Sequence, residues 1–278
     1  MSPYFFKNEQ LVPPSGHQNV TGQLYHPLHS KTSTNFVSLP GVHKSIDGRL
    51  LQTTRQLRED FPFNLDMNSG RPLGVGWMQV TVGNAERSSA RRTYLGKAVL
   101  DRQNLHVLIG TRVTKILQTV GAAFRRVEVV NGKTSAKLVY TAARDIILSA
   151  GEYDLPSVGQ NLTDHAASRT SWLVNNTDTW EKIINNKTAQ EQALQEWHQS
   201  RTGFMSTGGS NHIIFTRMTD AELEQVGEDP SLGNHTPHME MITSNEVRPP
   251  VQPPDGNALM LVQVLLTPTS RVLIFTLI

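Results

Sequence analysis

Cysteine is absent from the 278 residues. Disulfide scaffolds, thiolate metal sites and cysteine nucleophiles are thereby excluded, while the redox compartment is left open. No apolar run approaches the about 18 residues that a membrane-crossing helix needs, so no membrane partner is expected. An excess of one charge is also missing. Lys and Arg number 26 against 24 Asp and Glu, a net +2 at pH 7, too little for a nucleic-acid arm or a polybasic anchor. Aromatics make up only 6% and hydrophobic residues 37%, lean values that still suffice for a core in a chain this long. Common catalytic signatures are missing too: there is no Walker loop, no His-Glu-x-x-His and no Gly-x-Ser-x-Gly. Gly74-Val-Gly76 opens like a dinucleotide turn, but Gln79 occupies the third glycine position and no strand is expected before it. The opening MSPYFFKNEQLVPP lacks the basic start, apolar stretch and small-residue cleavage site of a secretory leader. Localisation is therefore left unknown.

What is present reads as an α/β chain, α+β overall, of one large or two small domains at about 150 residues each. Residues 1–44 are rich in Pro, Gly, Ser, His and Asn and read as ordered loop with short strands, including 36–41. Ile46, Leu50, Leu51 and Leu57 share a helical face after a candidate N-cap at Ser45, and the helix must stop before Phe61-Pro62. A second helix is expected over 88–101. The period then changes to strand. Runs at 105–109, 112–118, 124–130, 137–142 and 144–150 are rich in β-branched residues and broken by turns such as Asn131-Gly132, the pattern of a β-meander. The last run, apolar on both faces at Ile146, Ile147 and Leu148, reads as a strand buried inside a sheet. After about residue 165 come a Gln-rich helix over 179–199, a Gly/Ser loop at 203–210, a Thr219/Glu222 capping box closed by Gly227, and strands at 237–242 and 258–266.

Few residues point to chemistry by spacing. The His26/His29 and His235/His238 pairs, the latter near Glu240, lack a third ligand and read as solvated or hydrogen-bonded; no metal is expected. Asp164-His165 could orient an imidazole or form a surface turn. Arg87, Arg91 and Arg92 read as a solvated helix face. Asn-x-Ser/Thr sequons at Asn19, Asn161, Asn175, Asn186 and Asn234 point to a secreted ancestry.

Six segments in order carry a resemblance. They are FPFNLDMNSGRPLGVGWMQVTVGNAERSSARRTYL (61–95), NLHVLIGTRVTKIL (104–117), RDIILSAGE (144–152), DLPSVGQNLTDH (154–165), TPHMEMITSN (236–245) and LLTPTSR (265–271). Together they resemble the glucose–methanol–choline (GMC) family of FAD-dependent oxidoreductases, most closely its fungal aryl-alcohol-oxidase-type members. The resemblance implies a partial FAD-binding domain with a β-meander over 1–165, and an incomplete substrate-binding domain with an antiparallel sheet over 166–278. It implies FAD as cofactor, a small-molecule alcohol as substrate, and hydride transfer from the carbinol carbon to the flavin. Val113 resembles the residue whose backbone meets the adenine. Ser149, Ala150 and Gly151 resemble the strand end that the cofactor approaches closely. Asn161, Asp164 and His165 match the loop rejoining the flavin domain, and Gly74, Gly76 and Arg87 through Ser89 are assigned to the fold.

The same comparison implies three departures. The family's opening Gly-x-Gly-x-x-Gly unit has no counterpart here. Only Glu152 and Tyr153 join Gly151 to Asp154 where the family has a crossover helix. The match ends at Arg271, before the family's His-Trp catalytic segment, so no catalytic residue is nominated. Two readings follow: a flavin-dependent alcohol oxidoreductase of which this chain is an inactive fragment, or a non-catalytic truncated homologue or gene-model artefact without cofactor.

Overall fold

A computed structural model of the chain describes residues 2–16, 19–25, 33–149, 161–176, 178–245 and 256–271. They fall into two compact units, one of Met1–Tyr94 with Thr163–Val272, the other centred on Leu95–Leu162.

The first unit opens with α1 (Ser2–Asn8), β1 (Gln10–Leu11), β2 (Phe36–Val37) and α2 (Ser45–Gln56). β1 and β2 pair in parallel. β3 (Gly74–Trp77) follows, then the hairpin of β4 (Val82–Gly83) and β5 (Glu86–Arg87). Its two turn residues, Asn84 and Ala85, both have positive φ, as a tight hairpin of this hand requires. The helix expected over 88–101 is divided into α3 (Ala90–Tyr94) and α4 (Lys97–Leu100), because Gly96 takes an extended conformation as the N-cap of α4.

In the second unit the meander has three strands: β6 (Thr111–Gln118), β7 (Phe124–Asn131) and β8 (Lys137–Thr141). Two expected strands are overturned. Residues 105–109 and 144–149 form no strand, and Ile109 and Ile147 are 85% and 86% exposed. A strand that is apolar on both faces needs a neighbour at each edge and cover above and below. Neither run has one among the described residues. Arg125 holds the start of the second run by donating to the Ala143 and Arg144 carbonyls, and beyond that point regular pairing ends. The meander itself is amphipathic. Its register puts Val113, Val129 and Leu138 on one face and Lys115, Glu128 and Val139 on the other. Val129 alone of the first three is buried.

Returning to the first unit, the chain forms β9 (Ala166–Leu173), α5 (Glu181–Ile184), α6 (Lys187–Ser200), β10 (His212–Thr216), α7 (Asp220–Val226), β11 (Met239–Ser244) and β12 (Ala258–Leu265). The Thr219/Glu222 capping box and the Gly227 stop of α7 are as the sequence leads one to expect. Five strands build one antiparallel sheet in the order β3-β10-β11-β12-β9. β9 is one edge; it opens with small and polar residues and closes with the exposed Trp172 and Leu173. At the other edge every residue of β3 is buried. Trp77 packs there with Leu24 and Leu39, supported by Leu11, Val20 and Leu51.

Gly74 and Gly76 make that edge possible. Gly74 has φ +118°, and a Cβ would run into the Pro62 carbonyl oxygen; at Gly76 a Cβ would lie 2.7 Å from Met67 Cγ. Their assignment to the fold thus has a steric basis. Gly74→Ala is expected to destabilise the chain by about 2 kcal/mol or more, from backbone strain and overpacking together. Urea unfolding should show the loss as a lower midpoint at unchanged slope.

Candidate functional site

The most enclosed polar cluster lies where α2 meets the sheet. Asp47, in the first turn of α2, is buried. Its Oδ2 accepts from the Lys44 backbone N–H at 2.7 Å and from Asn211 Nδ2 at 2.8 Å. The same Asn211 amide donates to the Val42 carbonyl at 2.9 Å, and the Asn211 carbonyl accepts from the Met78 N–H at 2.8 Å. One carboxylate and one amide therefore join a loop, a helix start and the ends of β3 and β10. A carboxylate in the first helical turn also meets the positive end of the helix dipole.

His212 completes the cluster. It is 0% exposed, and its Nδ1 lies 3.4 Å from Asp47 Oδ1 without hydrogen-bond geometry. Its ring packs on Trp77 at 4.2 Å, and His43 meets the edge of the same indole at 5.1 Å. Burial, with a smaller contribution from His43, lowers the His212 pKa to about 4. The imidazole is thus neutral at pH 7. Burial pushes the Asp47 carboxyl up, against its hydrogen bonds and the nearby His43 and Lys44, which pull it down. Beside this cluster the Lys44 ammonium stands over Phe204 at 4.4 Å and Trp180 at 5.0 Å, a cation–π arrangement that keeps a lysine inside.

A second buried histidine is fully engaged. His238, also 0% exposed, accepts at Nδ1 from the Met218 N–H at 3.0 Å. Its Nε2 must then carry the proton and donates to Asp229 Oδ1 at 2.9 Å. Arg217 pairs with Asp229 and donates to Ser231 and to the Gly233 and Thr236 carbonyls. The His238 bond, the Ser231 N–H and Arg217 hold the Asp229 carboxyl well below the usual carboxylate range. With both nitrogens committed, His238 is an anchor for the loop before β11 and has no lone pair for a metal. Among the described residues no group of His, Asp and Glu could hold one; His26 and His29 lie outside the described residues.

The residues that the resemblance assigns to FAD are in the second unit where they are described. Val113 stands on the edge strand β6, 57% exposed, beside a β-bulge at Thr114, whose hydroxyl donates to Glu128 Oε1 at 2.7 Å. Ser149 is exposed on the unpaired run that ends at residue 149. Ala150 and Gly151 lie outside the described residues, as does the junction through Glu152 and Tyr153. Asn161 has a positive φ, Asp164 accepts from the His165 N–H at 2.8 Å, and all three residues of that loop are exposed. Among the described residues neither Val113 nor Ser149 is enclosed. Elsewhere, a groove of about 390 Å³ between α5 and α6 is lined by Trp180, Ile183, Ile184, Lys187, Gln190, Glu191, Leu194 and Met205. It offers apolar contact and two charged groups, Lys187 and Glu191, and no histidine lines it.

Asp47, Asn211 and His212 were not singled out by the sequence pattern. The available signal was positional: Asp47 shares a helical face with Leu51 and Thr54, so the stripe that packs inward contains a carboxylate. Asp47→Ala removes the acceptor of two buried donors and is expected to cost about 2–4 kcal/mol in urea unfolding. A pH effect follows from His212. Its folded pKa of about 4 lies below the ordinary 6.5, so the unfolded chain binds the extra proton. Stability is then full above pH 6.5 and is lost as pH falls from 6.5 toward 4. The raised Asp47 pKa acts with the opposite sign from 3.8 upward. Stability measured between pH 7 and 5 should fall in the parent chain and stay flatter in His212→Gln.

Comparison with known proteins gives these features a context. A profile of the GMC oxidoreductase family matches residues 50–167. The dehydrogenase eriK of Hericium erinaceus is 32% identical over 97% of this chain and 50% of its own length. Pyranose dehydrogenase 3 of Leucoagaricus meleagris is 34% identical over 86% of this chain and 42% of its own. The chain thus spans about half the length of the relatives it matches, or less. In three dimensions it is similar to an FAD-dependent oxidoreductase from Chaetomium thermophilum, with TM-score 0.75, 18% identity, and coverage of 94% of this chain and 54% of that one. The formate oxidase of Aspergillus oryzae superposes as well, at TM-score 0.75 and 18% identity, over 97% of this chain and 53% of that one. The family profile, the long sequence matches and the shared fold agree with the ordered segments from 61 to 271, and the chain belongs to the GMC oxidoreductase family.

Proposed function

We propose that this chain is the scaffold part of an FAD-dependent oxidoreductase acting on the CH–OH group of a small-molecule donor, FAD being the cofactor by family. Residues 1–165 belong to the FAD-binding side and 166–278 to the substrate-binding side. Val113, Ser149, Ala150 and Gly151 face the cofactor where the flavin site is complete. Relatives named pyranose dehydrogenases favour a sugar hydroxyl as donor; the aryl-alcohol-oxidase-type segments favour a benzylic alcohol. Both donor types present the same carbinol group.

The chain alone, in this reading, neither retains FAD nor oxidises alcohols. The observation that carries it is the exposure of Val113 and of the run ending at Ser149, where a bound flavin nucleotide would need walls. Burial on several sides is what holds a small ligand. The two enclosed histidines support the same reading. His238 has both nitrogens engaged, and His212 with a pKa of about 4 is a poor proton acceptor at neutral pH.

The purified full chain, incubated with FAD and desalted, is expected to show no stoichiometric flavin band in its visible spectrum. With benzyl alcohol or a pyranose, and with oxygen or a quinone as acceptor, turnover should be absent. A retained equivalent of flavin would overturn the statement on the cofactor. Acceptor reduction that depends on the alcohol would overturn the statement on activity.

A further inference from the structure

We propose that Asn186 is an acceptor for an N-linked oligosaccharide. The sequence Asn186-Lys187-Thr188 is a sequon, and all three of its residues are exposed. The structure separates the two ends of the asparagine amide. Its Oδ1 accepts from the Ala189 N–H at 3.1 Å, which makes Asn186 the N-cap of α6. Among the described residues its Nδ2 donates to no other group, so the nitrogen that takes the sugar is available while the oxygen that caps the helix is in use.

The chemistry leaves the cap intact. In the transfer, one N–H bond of Nδ2 is replaced by a bond to C1 of the first sugar. The C1–O bond to a polyisoprenyl diphosphate donor breaks, and the diphosphate leaves as the proton is released. The product is still an amide, with its carbonyl oxygen free to accept from Ala189.

Two of the other sequons are less well placed. Asn234 is followed by Thr236 and Pro237, in the loop that Arg217 pins through the Gly233 and Thr236 carbonyls. Asn161 already has a positive φ.

The test is to send the full chain, behind a cleavable secretory leader, into a eukaryotic secretory lumen and to map its peptides by mass spectrometry before and after peptide N-glycosidase. The Asn186 peptide is expected to carry a glycan, and the enzyme should leave aspartate at 186. Thr188→Ala should abolish that glycan and keep the cap. Asn186→Asp should abolish it too, since aspartate caps a helix as well as asparagine. Both variants should match the enzymatically deglycosylated parent in helical signal and unfolding midpoint. A lumenal chain with Asn186 unmodified, whatever happens at the other sequons, overturns the proposal. So does a glycan that survives Thr188→Ala.

Discussion

The first unit depends on a single carboxylate. Asp47 gathers the Lys44 N–H and the Asn211 amide, and through Asn211 it reaches Val42 and the end of β3. These partners are distant in sequence, and no apolar contact could set their relative positions with the same directionality. Burying a carboxylate is costly unless it is hydrogen-bonded. The raised Asp47 pKa records that cost, and the hydrogen bonds from the Lys44 N–H and Asn211, which oppose the shift, record the compensation. The dry neighbourhood that strains Asp47 also keeps His212 neutral, and the Trp77 face against which His212 packs is part of the apolar core. The helix start, the sheet edge and the core are thus one coupled object.

A different constraint governs the second unit. Three strands form an amphipathic sheet, and flanking runs such as 144–149 have the composition of an interior strand but lie exposed. Period-2 patterning decides which face of a strand is apolar, yet it cannot create the neighbour that the strand needs. Val113 shows the outcome at one residue. It is paired by its backbone to Val129 and shares that residue's face, but Val129 is buried and Val113 is not. Exposed apolar surface of this kind marks places where other groups pack.

Local signals in the sequence were read correctly where they were chemical. The α7 capping box, the Gly227 stop, the Asn131-Gly132 turn and the strands expected at 237–242 and 258–266, found at 239–244 and 258–265, all depend on residues close together in the chain. β3, β9 and β10 escaped because nothing local identifies them. β3 is Gly-Val-Gly-Trp, shaped by Pro62 and Met67, which crowd the space beside its glycines. β9 opens on Ala166 through Ser171, small and polar residues without a period-2 apolar pattern. β10 opens with His212, whose interior position is set by Trp77 and Asp47 from other segments. The same applies to the candidate site. Asp47 lies on a helix recognised from Ile46, Leu50 and Leu51, but its role belongs to Asn211, far along the chain. The family, in contrast, was legible, because its signature is a series of segments in fixed order and needs no long-range contact to be seen.

The polar network and the exposed apolar runs together bear on how a scaffold can outlast its chemistry. Anchors such as Asp47 with Asn211, or His238 with Asp229 and Arg217, are hydrogen-bonded within the first unit, although Asp47 Oδ1 and Asn211 Oδ1 have no hydrogen-bond partner among the described residues. These hydrogen bonds tie together segments of the chain itself. A nucleotide site is the opposite case, because it exists only when several separate walls converge. Losing one wall leaves the anchors unchanged and the ligand unheld. The fold of the first unit rests on such buried, hydrogen-bonded side chains. Val113 and Ser149, both exposed, take no part in that framework.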